Sequence, residues 1–112
     1  MTPLILAALF VCTSPVVHDA DTWRCADGTR VRAWGLDGPE LNTPAGPPAR
    51  NAAARLINGQ NLTCDRRGNS YDRIVALCTL PDGRDVAAEL IRQGVAKEWL
   101  RFSGGYYQGI GR

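Results

Sequence analysis

A chain of 112 residues is long enough for one domain and too short for two. Apolar residues make up 45% and charged residues 21%, which excludes a disordered tail and a membrane bundle. The net charge of +2 is too weak to identify a nucleic-acid partner by itself.

Met1 to Ser14 reads MTPLILAALFVCTS, and Leu4 to Val11 is an unbroken apolar run. That is the length of a signal-peptide core and far too short to span a bilayer. No Lys or Arg precedes it, while Cys12 and Ser14 supply small residues for a cleavage site. The favoured expectation is a signal peptide over residues 1–14 and an exported protein, periplasmic or secreted. A buried N-terminal strand or uncleaved anchor is the alternative. A lipoprotein is disfavoured because Val11 is large for the position before a lipidated cysteine.

Val16-Val17 and Thr22 to Cys25 predict a strand interrupted by Asp19-Ala20-Asp21. Asp27-Gly28 is a hairpin-turn signal, and Arg30 to Leu36 predicts a second strand ended by Asp37-Gly38-Pro39. A Pro- and Gly-rich loop, Asn42 to Pro48, follows. From Ala49 the period changes: Ala49, Ala52, Ala53, Leu56 and Ile57 share one helix face, with Pro48 in the first turn and Gly59 at the C-terminal cap. Leu62 to Cys64 and Ile74 to Leu80 predict two strands flanking a polar loop, Asp65 to Asp72. Pro81-Asp82-Gly83 is a turn, and Asp85 caps a second helix carrying Val86, Ala87, Leu90 and Ile91, closed by Gly94.

This order, with more than one strand count open in the first half, suits a mainly β fold with helices: a small OB-type β-barrel of about five strands and two helices. Its expected extent is residues 15–107, with 108–112 a short flexible tail. Loss of the leader leaves Cys25, Cys64 and Cys78. Cys64 and Cys78 stand in strands on either side of the polar loop, so a bridge between them is expected in preference to two buried thiols, with Cys25 free and buried.

The single histidine, His18, excludes histidine-clustered zinc sites and leaves little room for a Ser-His-Asp triad. Hydrolytic chemistry must then rest on carboxylates, arginines or a hard metal. Of the 13 basic residues only Lys97 is a lysine. Arg grips phosphate bidentately, although a GC-rich genome enriches Arg equally well. Asp21, Arg32, Asp37, Glu40 and Arg73 fall at strand ends and loop mouths. Two aspartates and a nearby carbonyl supply hard oxygen ligands for Ca2+. Two arginines suit the charge that develops on a phosphodiester under attack. Glu40, three residues beyond Asp37, is close enough to orient or deprotonate a water.

Asp19-Ala20-Asp21-Thr22 and Arg32-Ala33-Trp34-Gly35-Leu36-Asp37-Gly38-Pro39-Glu40 closely resemble the two halves of the thermonuclease (staphylococcal nuclease-like) signature. Tyr71-Asp72-Arg73-Ile74-Val75-Ala76 resembles that family's second motif, and Leu90-Ile91-Arg92-Gln93-Gly94-Val95-Ala96-Lys97 its following helix. The resemblance implies an OB-fold that hydrolyses phosphodiester bonds of DNA or RNA with Ca2+, as a monomer with no stable protein partner. Asp21 and Asp37 would ligate the metal by side chains and Gly38 by its carbonyl. Glu40 would be the base, Arg32 and Arg73 would bind the scissile phosphate, and Tyr71 would lie at the nucleotide-binding edge. Ala20 and Asp72 stand where the family has glycine, and Asn69-Ser70 where it has an acidic-basic pair. The family's C-terminal helix is missing after Tyr107, so the residues beyond about Ser103 are expected to be mobile. The alternatives are a non-catalytic OB-fold module binding nucleic acid or protein, and a truncated, poorly active nuclease homologue.

Overall fold

The computed structural model describes residues 8–110. In chain order its elements are β1 (Leu9–Cys12), β2 (Val16–Asp19), β3 (Thr22–Arg24), β4 (Arg30–Ala33), β5 (Leu36–Asp37), α1 (Gly46–Ile57), β6 (Leu62–Ser70), β7 (Arg73–Thr79), α2 (Val86–Arg92), β8 (Lys97–Glu98) and α3 (Leu100–Ser103). Two locally closed units come first. Asp27 accepts a hydrogen bond from the Thr29 N–H (2.9 Å) and Gly28 takes φ +91°, which turns β3 back onto β4. Tyr71-Asp72 likewise turns β6 onto β7.

A parallel pairing joins the two units, with Arg32 opposite Val75 on β4 and β7. The resulting six-stranded sheet has the order β1-β6-β7-β4-β3-β2, and β5 and β8 form a separate two-stranded ribbon. The fold is therefore a mixed, sheet-rich one with three helices. Among the described residues no ladder joins β1 to β2, so the sheet is not closed into a barrel. The edges meet at one corner, where Cys12 bridges Cys25 and the Ala26 N–H donates to the Thr13 carbonyl at 2.8 Å.

The alanine stripe of α1 packs Ala49, Ala52, Ala53 and Ile57 into the core. Asp85 caps α2 by accepting from the Ala88 N–H at 3.1 Å, and Val86, Ala87, Ala88 and Leu90 face inward. Ile57, Leu62 and Leu90 are fully buried, each worth about 1.5–3 kcal/mol relative to an exposed side chain. None of the described helices is long and apolar enough to cross a membrane.

Several expectations change. Met1 to Ala7 of the expected leader lie outside the described residues, but Leu9–Cys12 is a strand of the sheet, paired antiparallel with β6. An apolar run reads alike as a leader or as a strand, and the partner that makes it a strand is distant in sequence. Cys25, expected free, is bridged to Cys12. Cys64 and Cys78 are opposite one another on β6 and β7 and are bridged. The polar segment 65–70 is strand rather than loop, and the strand expected over Arg30 to Leu36 breaks at Trp34-Gly35.

The chain end also differs from expectation. Gly35, at φ +72°, leaves no room for a side chain, since a Cβ there would meet Ser103 Cβ at 3.0 Å and Tyr107 Cε2 at 3.2 Å. Tyr107 is buried against it and donates its hydroxyl to Asp85 Oδ2 at 2.9 Å. Burial, with the facing Asp85 carboxylate, pushes that hydroxyl above its ordinary range. Glu98 accepts from the Ser103 hydroxyl (2.5 Å) and from the Tyr107 N–H (2.8 Å). Of the expected tail, Gly111 and Arg112 lie outside the described residues.

Candidate functional site

Strand alternation on β4 sends Val31 and Ala33 to the core and leaves Arg32 on the other face of the sheet. Arg32 is nonetheless only 9% exposed. A buried guanidinium needs partners for its donors. Arg32 Nη1 donates to the Leu36 carbonyl at 2.7 Å and the Ala33 carbonyl at 3.3 Å, and stands 3.2 Å from Asp21 Oδ2. The Trp99 ring lies over the guanidinium, 4.9 Å from its centroid.

Asp21 follows the tight turn after β2 and is 8% exposed. Its Oδ2 also accepts from the Gly38 N–H at 2.8 Å. Burial, helped by a hydrogen bond with Asp19, pushes the Asp21 carboxyl up to about 7 against the pull of Arg32 and the Gly38 N–H. Burial also raises Asp19, but hydrogen bonds from Asp21 and Thr22 outweigh it and hold that carboxyl below its ordinary value. Gly38 is a glycine for steric reasons: a Cβ there would meet Ala20 Cβ at 2.9 Å and Asp21 N at 3.4 Å. Ala20 does not take a positive φ, so an alanine there carries no backbone strain.

Beside this acidic corner a cavity of about 200 Å³ is lined by Arg32, Gly35, Asn69, Ser70, Arg73, Val75, Trp99 and Phe102, among others. Arg32 and Arg73 reach it from neighbouring parallel strands. Arg73 is half-buried, and its Nη2 donates to Ser70 Oγ at 3.2 Å. Asp72 does not oppose it, because Asp72 pairs with Arg30 instead.

The remaining site residues lie elsewhere. Asp37 is exposed on β5, and with Gly38 it lines a second depression formed with Pro39, Ala45 and Gly94 to Lys97. Glu40 is exposed, and its carboxylate makes no hydrogen bond or ion pair among the described residues. Its backbone is held firmly: the Glu40 carbonyl accepts from Thr43 N (3.1 Å) and Thr43 Oγ1 (2.6 Å), and Gly46 packs against it so closely that a Cβ there would clash. Tyr71 is 98% exposed at the β6–β7 turn with φ +57°.

Among the described residues no three His, Cys, Asp or Glu side chains form a ready metal cluster. By type the oxygen donors suit a hard divalent cation, with carboxylates on Asp21 and Asp37 and a carbonyl on Gly38, but Asp21 Oδ2 is already engaged by the Gly38 N–H and Arg32. Water and a substrate phosphate would have to fill the rest of such a shell. Sequence reading missed Trp99, Phe102, Asn69 and Ser70 as cavity residues. Nothing local marks them, because the aromatic pair is brought to the cavity by the pairing of β8 with β5 and by the Trp99 N–H donating to the Gly35 carbonyl at 2.7 Å. Compared with models of known protein families and with curated proteins, the chain matched none.

Proposed function

We propose that this chain is a Ca2+-dependent nuclease that hydrolyses phosphodiester bonds of DNA or RNA, exported and monomeric. The observation that carries the reading is the shared cavity of Arg32 and Arg73, two residues far apart in sequence, beside the buried acid Asp21. The same reading takes the fold as an OB-type barrel whose edges are joined by a disulfide corner instead of a ladder.

In this reading Arg32 and Arg73 hold the non-bridging oxygens of one phosphate by charge-assisted hydrogen bonds that strengthen as charge builds in the transition state. Asp21 and Asp37 carboxylates with the Gly38 carbonyl would hold Ca2+. Bound there, Ca2+ would supply Lewis-acid stabilisation of the phosphate oxygen. Glu40, its backbone fixed by Thr43, takes the proton of the attacking water as the new P–O bond forms, and the leaving oxygen, its P–O bond broken, takes a proton from solvent. Trp99 and Phe102 give one side of the cavity an apolar wall. Tyr71 lies at the edge where a nucleotide enters.

Cleavage of single-stranded DNA and of RNA, assayed with Ca2+ and with excess EDTA, tests the proposal. Activity with Ca2+ that disappears on chelation supports it. Full activity in EDTA overturns the metal assignment. The exposed, unpartnered Glu40 favours a second reading, a nucleic-acid-binding module that does not cleave. Glu40→Gln separates the two: a nuclease loses kcat with substrate binding kept, whereas a binding module shows no cleavage to lose.

A further inference from the structure

Arg67 sits at an irregularity of the β6–β7 ladder. The register runs Arg66 opposite Ala76, then Gly68 opposite Val75, so Arg67 is the extra residue of a bulge. Bulges re-aim side chains and gather next to functional sites. This one lays the Arg67 guanidinium over the Trp34 indole, 4.6 Å from the ring centroid. Arg67 Nε also reaches Asp65 Oδ2 at 3.2 Å, yet the Arg67 side chain remains 34% exposed. Tyr106 meets Trp34 edge to face, with centroids 5.4 Å apart, and is 60% exposed.

None of these three residues lines the arginine cavity, but two of them adjoin its lining along the chain. Trp34 is bonded to the cavity residue Gly35. Arg67 precedes the cavity residues Asn69 and Ser70 on the same strand, at about 3.3 Å per residue, hence about 7–10 Å away. The hairpin carries Arg66, Arg67 and Arg73 against Asp65 and Asp72, an excess of positive charge on the approach to the cavity. Docking of the chain end is already carried by buried Tyr107 and by Glu98. Tyr106 packs edge to face on Tyr107 as well, with centroids 4.9 Å apart, yet stays exposed, as does the arginine stacked on the indole.

We propose that Arg67, Trp34 and Tyr106 form a second subsite, which holds a single nucleic-acid strand as it leaves the arginine cavity. The inference rests on the nuclease reading and extends it. A guanidinium stacked on an aromatic face keeps its edge N–H groups available, which suits a phosphate. The exposed ring of Tyr106 suits an unpaired base, since stacking of this kind tolerates any base. A duplex hides its base faces, so the occupant is a single strand.

The test is a binding titration without metal, so that no cleavage occurs. The probes are a thymidine dinucleotide and a deoxythymidine oligonucleotide of about eight residues, within the range one such domain covers. Arg67→Gln and Tyr106→Ala are compared with the unaltered chain, and far-UV circular dichroism verifies that both variants fold. The longer probe should lose about tenfold or more in affinity for each variant, and the dinucleotide should stay within about twofold. The slope of log affinity against log salt for the longer probe should fall by about 0.7 in Arg67→Gln.

If the longer probe binds both variants as tightly as the unaltered chain, the second subsite is overturned and the nuclease reading stands. Equal loss for both probes also overturns it, because the residues would then act on the cavity as a whole. If the unaltered chain binds neither probe, the subsite and the nucleic-acid reading fail together.

Discussion

Arg32 lies on the floor of the cavity and Arg73 on its rim, and they are restrained very differently. Arg32 has 11% of its side chain exposed, is ion-paired to Asp21, donates to two carbonyls and is covered by Trp99. Arg73 is half-buried and has one hydrogen bond among the described residues, to Ser70 Oγ. The floor arginine is therefore preset by the fold, and part of its charge is committed to neutralising a buried acid. The rim arginine can exchange a neutral hydroxyl for a phosphate at little cost. On the proposed reading, one position serves structure and phosphate binding together, and the other serves phosphate binding alone.

The largest expected effect follows from removing the floor. Arg32→Ala strands Asp21 in a buried position. Breaking a buried pair costs about 3–5 kcal/mol, and the lower end applies because Asp21 can take up a proton. Urea unfolding should show that loss. Arg73→Ala should leave the urea midpoint almost unchanged while weakening phosphate-dependent binding, since a hydrogen bond between partly exposed groups contributes only about 1 kcal/mol. Equal destabilisation by the two substitutions would erase the distinction between floor and rim.

The acid beneath Arg32 sharpens the comparison through pH. Asp21 holds its proton up to about 7 in the folded chain, whereas an unfolded Asp releases it near about 3.9. Between those values the folded state binds more protons, so this group makes stability fall as pH rises from about 4 to 7. Asp19 acts oppositely and lower: its depressed value gives stability that is lost as pH falls below the ordinary carboxylate range. Thermal melts without metal should show the decline across pH 4 to 7, and Asp21→Asn should flatten it. An unchanged slope in that variant would remove Asp21 from the account.

An effect smaller than that of Arg32→Ala concerns the cover. Trp99→Ala removes the ring over Arg32 and should cost about 0.5–2 kcal/mol of stability, most of it recovered in Trp99→Phe. Differential scanning calorimetry of the two variants checks this. If Trp99→Ala melts like the unaltered chain, Trp99 does not restrain the floor.

What the sequence made legible was local. The alanine period of α1, the Asp85 cap and the Asp27-Gly28 turn each depend on residues within a few positions, and each forms where the pattern puts it. The facing of Cys64 and Cys78 followed from two strands around one hairpin. The pairing of Leu9–Cys12 with β6 and the Cys12–Cys25 bridge were hidden, because an apolar run carries no mark of its distant partner. The same holds for the site. Asp21, Arg32 and Arg73 could be singled out by type and motif. Trp99 and Phe102 reach the cavity because β8 pairs with β5, distant in sequence, and the bulge at Arg67 arises from a register that no single strand specifies. Asp37 and Glu40 were read from the same motif as Arg32, yet they stand outside the arginine cavity, on a ribbon and a loop of their own.

The most direct test of the floor-and-rim site is the rate of phosphodiester cleavage in Ca2+, measured side by side for the unaltered chain and for Arg73→Ala on one single-stranded DNA. The account predicts cleavage by the unaltered chain and a fall of about 10²–10³ in kcat/KM for a variant that stays folded, as for loss of one transition-state donor. Equal rates for the two proteins, or no cleavage by the unaltered chain, would contradict it.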